Sequence, residues 1–192
     1  MSLSSDIPCF KIALLGDSGV GKTSILERFI SDSYDFSTDT TVGSSFFWKN
    51  ITTKKGIISL NIWDTAGQER YRSLISGYTR NCHAILLCFS MDSVRSFENL
   101  EKWLELLEKQ GSKQCRIYIC GNKSDLDTMI PKEAIAEWTL TNGYPFYLTS
   151  AKNGTGIKEL FNDVAEDLSE SIVPMVFAPP VPAIKEGENK CC

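Results

Sequence analysis

Gly16-Asp17-Ser18-Gly19-Val20-Gly21-Lys22-Thr23 has the residue types and spacing of a phosphate-binding loop. Glycines let the backbone curl so that successive amides, and the start of a following helix, point at phosphate oxygens. Lys22 supplies a point charge to the outer phosphates, and the Thr23 hydroxyl can ligate magnesium. With glycine at about 7% of average usage, such a pattern arises by chance in on the order of one per cent of chains this long. A second cluster, Asp64-Thr65-Ala66-Gly67-Gln68, offers a carboxylate that can hold magnesium through water. In a third, Asn122-Lys123-Ser124-Asp125, the Asp125 carboxylate can accept hydrogen bonds from N1 and the exocyclic amino group of guanine, a donor pair that adenine lacks. Alone, that tetrapeptide reads equally well as a solvated turn; after two phosphate motifs it reads as base selection. Ser150-Ala151-Lys152 would then present a backbone amide to the base oxygen.

These groups must be carried to one place. An apolar run at 9–15 predicts a buried strand leading into the Gly-rich turn, and Ile25, Leu26, Phe29 and Ile30 form the stripe of the helix after it. Between 45 and 63, two strand-like runs flank Lys54-Lys55-Gly56, the second alternating Ile58, Leu60, Ile62 against Ser59, Asn61, which predicts an edge hairpin. Further strands are predicted at 84–90, 116–121 and 145–149, separated by helical patterns. Ser93 can cap a helix with Phe97, Leu100, Leu104 and Leu107 on one face that ends at Gly111, and Thr155 can cap one carrying Ile157, Leu160, Phe161, Val164 and Leu168. This alternation predicts a doubly wound α/β fold: a six-stranded, mostly parallel sheet with one antiparallel edge strand and helices on both faces. Its chemistry belongs in loops beyond the carboxyl ends of the strands, where the motifs fall.

At 192 residues and 42% hydrophobic, the chain fits one domain plus a tail: an extension over 1–8, the domain over 9–172, and a Pro-rich tether over 173–192. A net charge of -4 leaves no basic footprint for nucleic acid, which is excluded as a partner. No apolar stretch reaches membrane-spanning length and the polar N-terminus lacks a signal-peptide core, so a cytosolic setting is expected. Cys9, Cys82, Cys88, Cys115 and Cys120 lie in or beside apolar runs and read as small buried hydrophobes. None repeats a zinc spacing. Cys191 and Cys192 stand apart from that pattern.

In this order and spacing the motifs resemble those of a Ras-superfamily GTPase across 9–172. Within it, Val42-Gly43-Ser44-Ser45-Phe46, Leu60-Asn61-Ile62-Trp63, Gln68-Glu69-Arg70-Tyr71-Arg72 and Tyr78-Thr79-Arg80 are similar to Rab signature segments, and Cys191-Cys192 agrees with a Rab tail. The resemblance implies a Mg-dependent switch that cycles between GTP and GDP, hydrolyses GTP slowly, and regulates vesicle traffic. It implies nucleotide contacts from Ser18, Gly19, Val20, Gly21, Lys22, Thr23, Ser24, Asn122, Lys123, Asp125, Ser150, Ala151 and Lys152, with Tyr34 edge-on to the base. Magnesium would be held by Thr23, Asp64 and, in the GTP state, Thr41. Gly67 would donate its amide to the γ-phosphate and Gln68 would orient the attacking water, so that Gln68, Lys22 and Gly67 carry catalysis. Phe46, Trp63 and Tyr78 would form the aromatic patch that effectors read.

The implied partners are an exchange factor, a GTPase-activating protein, a GDP-dissociation inhibitor or escort protein, a prenyltransferase and effectors, with the chain itself a monomer. Double geranylgeranylation of Cys191 and Cys192 would place it on the cytoplasmic face of intracellular membranes, with a cytosolic pool. Two departures stand out: Phe36-Ser37-Thr38-Asp39 lacks the tyrosine expected near position 38, and Leu148 replaces a Glu before Thr149. Two other readings stay open. A phosphate-loop kinase or ATPase is separated by nucleotide competition, and a nucleotide-locked adaptor by single-turnover hydrolysis.

Overall fold

The computed structural model describes residues 7–34, 41, 44–65, 75–110 and 115–172. The chain runs β1 (Cys9–Gly16), α1 (Lys22–Ser31), β2 (Ser44–Thr53), β3 (Gly56–Thr65), α2 (Ile75–Thr79), β4 (Ala84–Ser90), α3 (Val94–Lys109), β5 (Arg116–Asn122), α4 (Lys132–Asn142), β6 (Phe146–Leu148) and α5 (Ile157–Ser169). The six strands form one sheet in the order β2-β3-β1-β4-β5-β6. All neighbours are parallel except β2 and β3, whose hairpin puts β2 antiparallel at the edge. The predicted α/β architecture is therefore the observed one. Order reverses around β1, so the loops after β1, β3 and β5 open at a common crevice beyond the strand ends.

The period-2 pattern of β1 divides the core in two. Phe10, Ile12 and Leu14 face α1 and α5, packing on Ile25, Leu26 and Phe29 and on Leu160, Phe161 and Val164. Ala13 and Leu15 face α3 and α4, meeting Leu100, Trp103, Leu107 and Ile135. Phe29 and Phe161 stack with centroids 3.8 Å apart, locking α1 to α5. Burying each such side chain contributes about 1.5–3 kcal/mol. The frame behind the loops is thus rigid. No helix among the described residues is long and apolar enough to cross a membrane.

Several expectations are corrected. The strand predicted at 145–149 is shorter, Phe146–Leu148: Pro145 and Thr149 still flank it with one bond each to β5, Ile119 N to Pro145 O and Thr149 N to Gly121 O, but Ser150 N turns away to Thr155 O. Thr155 does not cap α5; Gly156 is the N-cap, left-handed at φ 69° and with no side-chain cap bond. Only glycine serves there, since a Cβ would stand 2.1 Å from Leu148 O. Ser93 does cap α3, accepting from Ser96 N. Gly111, the predicted end of α3, and the 173–192 tether lie outside the described residues. Cys82, Cys88 and Cys120 are buried as expected, but Cys9 is exposed and Cys115 only partly covered. Cys9 opens β1 at the rim of the sheet, where its thiol bonds to Ile7 O instead of entering the core.

Candidate functional site

The phosphate-loop and base motifs occupy the turns predicted for them, and Asp64 and Thr65 end β3, with Ala66, Gly67 and Gln68 outside the described residues. The Gly-rich turn leaves β1 at Gly16 and enters α1 at Lys22. Gly21, the N-cap of α1, is left-handed at φ 91° and makes no side-chain cap bond, so the first amides of the helix stay available for an anion. A Cβ at Gly21 would come within 2.4 Å of Asn122 Nδ2, so only glycine lets the two loops touch. Lys22 is buried, and its Nζ donates to Gly16 O at 2.9 Å and Asp17 O at 2.8 Å. Burial pushes its ammonium below the ordinary lysine value, while the nearby Asp64 and Asp17 carboxylates oppose the shift. Ser18 and Gly19 are exposed at the tip and Val20 is buried beneath it.

Thr23, Thr41 and Asp64 converge from three segments. Thr23 Oγ1 donates to Asp64 Oδ2 at 2.6 Å and lies 2.7 Å from Thr41 Oγ1. Asp64 is completely buried, yet its Oδ1 has no hydrogen-bond partner among the described residues. Burial raises its carboxyl above the usual range, and the Thr23 bond and the Lys22 charge pull it back. An orphaned carboxylate oxygen beside two hydroxyls is a hard, oxygen-only donor set. It fits magnesium. No group of three or more His, Cys, Asp or Glu among the described residues offers another metal site.

The base-selecting motif closes β5. Ser150 Oγ donates to Asp125 Oδ1 at 2.6 Å, Lys152 Nζ lies 3.8 Å from Oδ2, and the carboxylate side chain is only 14% exposed. Asp125 borders a cavity of about 150 Å³, which Gly21, Ser24, Tyr34, Lys123, Ala151 and Lys152 also line. The phosphate loop and the base loops therefore meet at one pocket. Asn122 joins them: its Nδ2 donates to Val20 O at 2.9 Å and its Oδ1 accepts from Ala151 N at 3.2 Å. Its amide is thus engaged with protein; of the Ser150-Ala151-Lys152 segment expected to present a backbone amide to a base oxygen, the Ser150 N–H is given to Thr155 O and the Ala151 N–H to Asn122. Lys123, left-handed at φ 63°, pairs with Asp92 at 3.6 Å.

The aromatic trio is contiguous. Phe46 and Trp63 are cross-strand partners with centroids 5.3 Å apart, and Trp63 lies 6.1 Å from Tyr78. Phe46 is half exposed, so the trio is a surface feature and not core. Gly67, Gln68, Cys191 and Cys192 lie outside the described residues, as do Phe36, Ser37, Thr38 and Asp39.

Four supports escaped the sequence reading. Arg28 of α1 donates from Nε to Ala151 O at 2.8 Å and from a terminal nitrogen to Lys152 O at 2.7 Å, fixing the last base loop. Asp17 accepts from Asn99 Nδ2 at 2.7 Å and Trp103 Nε1 at 2.9 Å, tying the phosphate loop to α3. Lys49 reaches across from β2 to the Phe29 and Ile30 carbonyls at the end of α1. Trp48, two residues from Phe46 on the same face of β2, extends the exposed aromatic strip. The first three join residues far apart in the chain and leave no local pattern. The signal for Trp48 was available: an aromatic at alternate spacing on an edge strand. Compared with known families, residues 11–170 match the model described as the Ras family.

Proposed function

The chain belongs to the Ras family, and from that premise we propose that it is a Rab-type switch acting in membrane traffic. As a Ras-family member it is a small GTPase that binds guanine nucleotide and interacts with exchange factors, activating proteins and effectors. The observation that carries the nucleotide-switch reading is the meeting of Asp125 and the phosphate loop at one cavity of about 150 Å³; the Rab-type reading is supported by the contiguous, partly exposed Phe46, Trp63 and Tyr78 and by the similarity of the segments that carry them to Rab signatures. Asp125, to which Ser150 donates, lines the cavity with Lys123 and Lys152 at the base end; Gly21 and Ser24 line it at the phosphate end.

Magnesium, held by Thr23, Thr41 and Asp64, would neutralise charge on the outer phosphates. Lys22 would add its own positive charge, and a buried ammonium acts on developing negative charge more strongly than an exposed one. Thr41 makes the magnesium corner depend on the segment that carries it, which is how loss of the γ-phosphate would release the switch. Gln68 orients the attacking water and Gly67 binds the γ-phosphate; no general base is assigned, so hydrolysis is slow and rests on positioning. Effectors dock on Phe46, Trp63 and Tyr78 when the switch is ordered. Cys191 and Cys192 are the prenyltransferase's substrate, and an escort or GDP-dissociation inhibitor partitions the lipidated chain between membrane and cytosol.

Single-turnover hydrolysis of GTP by the full chain tests this reading. Hydrolysis is expected to be slow, to stop on magnesium chelation, and to fall by on the order of 10²-fold in Gln68→Leu with GDP affinity unchanged. Equal rates in the variant and the wild type would refute the assignment.

A further inference from the structure

Asp92 lies in the turn between β4 and α3, one residue before the Ser93 cap and outside the nucleotide motifs of the sequence. Its carboxylate is held from two sides. Ser90 Oγ donates to Oδ1 at 2.5 Å, and Lys123 Nζ lies 3.6 Å from Oδ2. Ser90 is itself only 2% exposed, and its amide donates to Ser96 Oγ at 3.0 Å, so the hydroxyl that grips Asp92 is fixed. The turn is also bonded to both ends of the base loop. Met91 N donates to Asn122 O at 2.8 Å, and Met91 O accepts from Met129 N at 3.0 Å. The two partners of the Asp92–Lys123 pair therefore sit on segments that are tied to each other.

Lys123 has reason to need such a partner. Within the base motif it alone has a left-handed backbone, at φ 63°, and it lines the base cavity beside Asp125. A lysine carries its charge on a flexible four-carbon stem, and an untethered one has to be ordered each time a ligand arrives. An ammonium drawn to Asp92 leaves the apolar stem as the part of Lys123 that can flank a planar base.

We propose that Asp92 is a positioning residue for the base site: its carboxylate orders Lys123 before nucleotide arrives and so lengthens the residence of bound nucleotide. The inference rests on the guanine-nucleotide reading of the cavity and adds to it a residue that acts through Lys123. The competing role for a carboxylate just before α3 is to favour the helix N-terminus through its dipole. That role does not involve Lys123, and this separates the two.

The test follows release of a fluorescent GDP analogue from the full chain, with magnesium present, in wild type, Asp92→Asn, Lys123→Met and the double variant. Because the pair is one-third exposed on both sides, Asp92→Asn should speed release by about two- to fivefold, with association changed less. In the Lys123→Met background the same substitution should leave the release rate unchanged, since the group it acts through is gone. Release at the wild-type rate in Asp92→Asn would overturn the proposal. So would equal acceleration with and without the Lys123 ammonium, which would assign Asp92 to the helix. Either result, in a chain that binds the analogue, leaves the nucleotide reading intact; a wild-type chain that does not bind it overturns that reading and this proposal together.

Discussion

Asn122→Ala should unlatch the phosphate loop from the base loops, and the structure sets the size of the effect. The substitution removes the donor to Val20 O at 2.9 Å and the acceptor for Ala151 N at 3.2 Å. It also removes a weaker partner of Thr149 Oγ1 at 3.4 Å. Asn122, Val20 and Ala151 are all buried, so water cannot readily replace those partners. Two buried groups left unsatisfied cost about 1–3 kcal/mol each, or about 4 kcal/mol together in mid-range. For a domain of this size that is a fall in Tm of roughly 12 °C. Because GDP itself raises Tm by mass action, melting is followed at several GDP concentrations and extrapolated to zero ligand. Lys123→Ala is the control: its 3.6 Å pair with Asp92 is one-third exposed on both sides, so its loss should cost less than about 1 kcal/mol. An extrapolated Tm for Asn122→Ala within about 2 °C of wild type would refute the reasoning.

Burial raises Asp64, so in metal-free protein its contribution to stability is present below the unfolded carboxylate value of about 3.9 and lost as pH rises through the folded one. Asp64→Asn in chelator should therefore equal or exceed wild type in urea midpoint at pH 7, lose that advantage in acid, and gain nothing from added magnesium. Phe161→Ala, which empties a stacked core position, should cost about 3–5 kcal/mol by urea denaturation. Phe46→Ala, half exposed, should cost about 1 kcal/mol yet abolish capture of partners selective for the GTP-loaded form. Deleting Cys192 should release much of the protein from membranes in fractionation, whereas about 0.5 M salt should release little of the wild type: the tail has only Lys185 and Lys190, offset by Glu186 and Glu188, and hydrophobic burial is not screened.

What the sequence makes legible here is what short-range chemistry dictates. The β2–β3 hairpin follows from the alternation of Ile58, Leu60 and Ile62, and the parallel core strands from continuous apolar runs. The phosphate loop and the base motif are local, because consecutive residues act on one ligand group. The supports are not local. Arg28 meets Ala151 across 123 positions and Asp17 meets Trp103 across 86, pairings that only the folded sheet creates. Thr155 looked like a cap by type, but the close approach of Leu148 O reserves the position for Gly156, and a packing constraint of that kind has no sequence pattern. Cys9 and Cys115 likewise stand beside apolar runs, yet meet the rim of the sheet and not its middle.

Base selection by Asp125 is the point on which the account turns, and displacement of a fluorescent GDP analogue measures it directly. Wild-type protein should prefer GDP over ADP by on the order of 10³-fold or more, because adenine lacks the N1–H and 2-amino donor pair that the Asp125 carboxylate would accept from guanine in a largely covered site. Asp125→Asn should lose GDP and gain xanthosine diphosphate, whose base offers the reversed hydrogen-bonding edge. GDP affinity unchanged in that variant, or ADP competing as well as GDP in the wild type, would contradict the account.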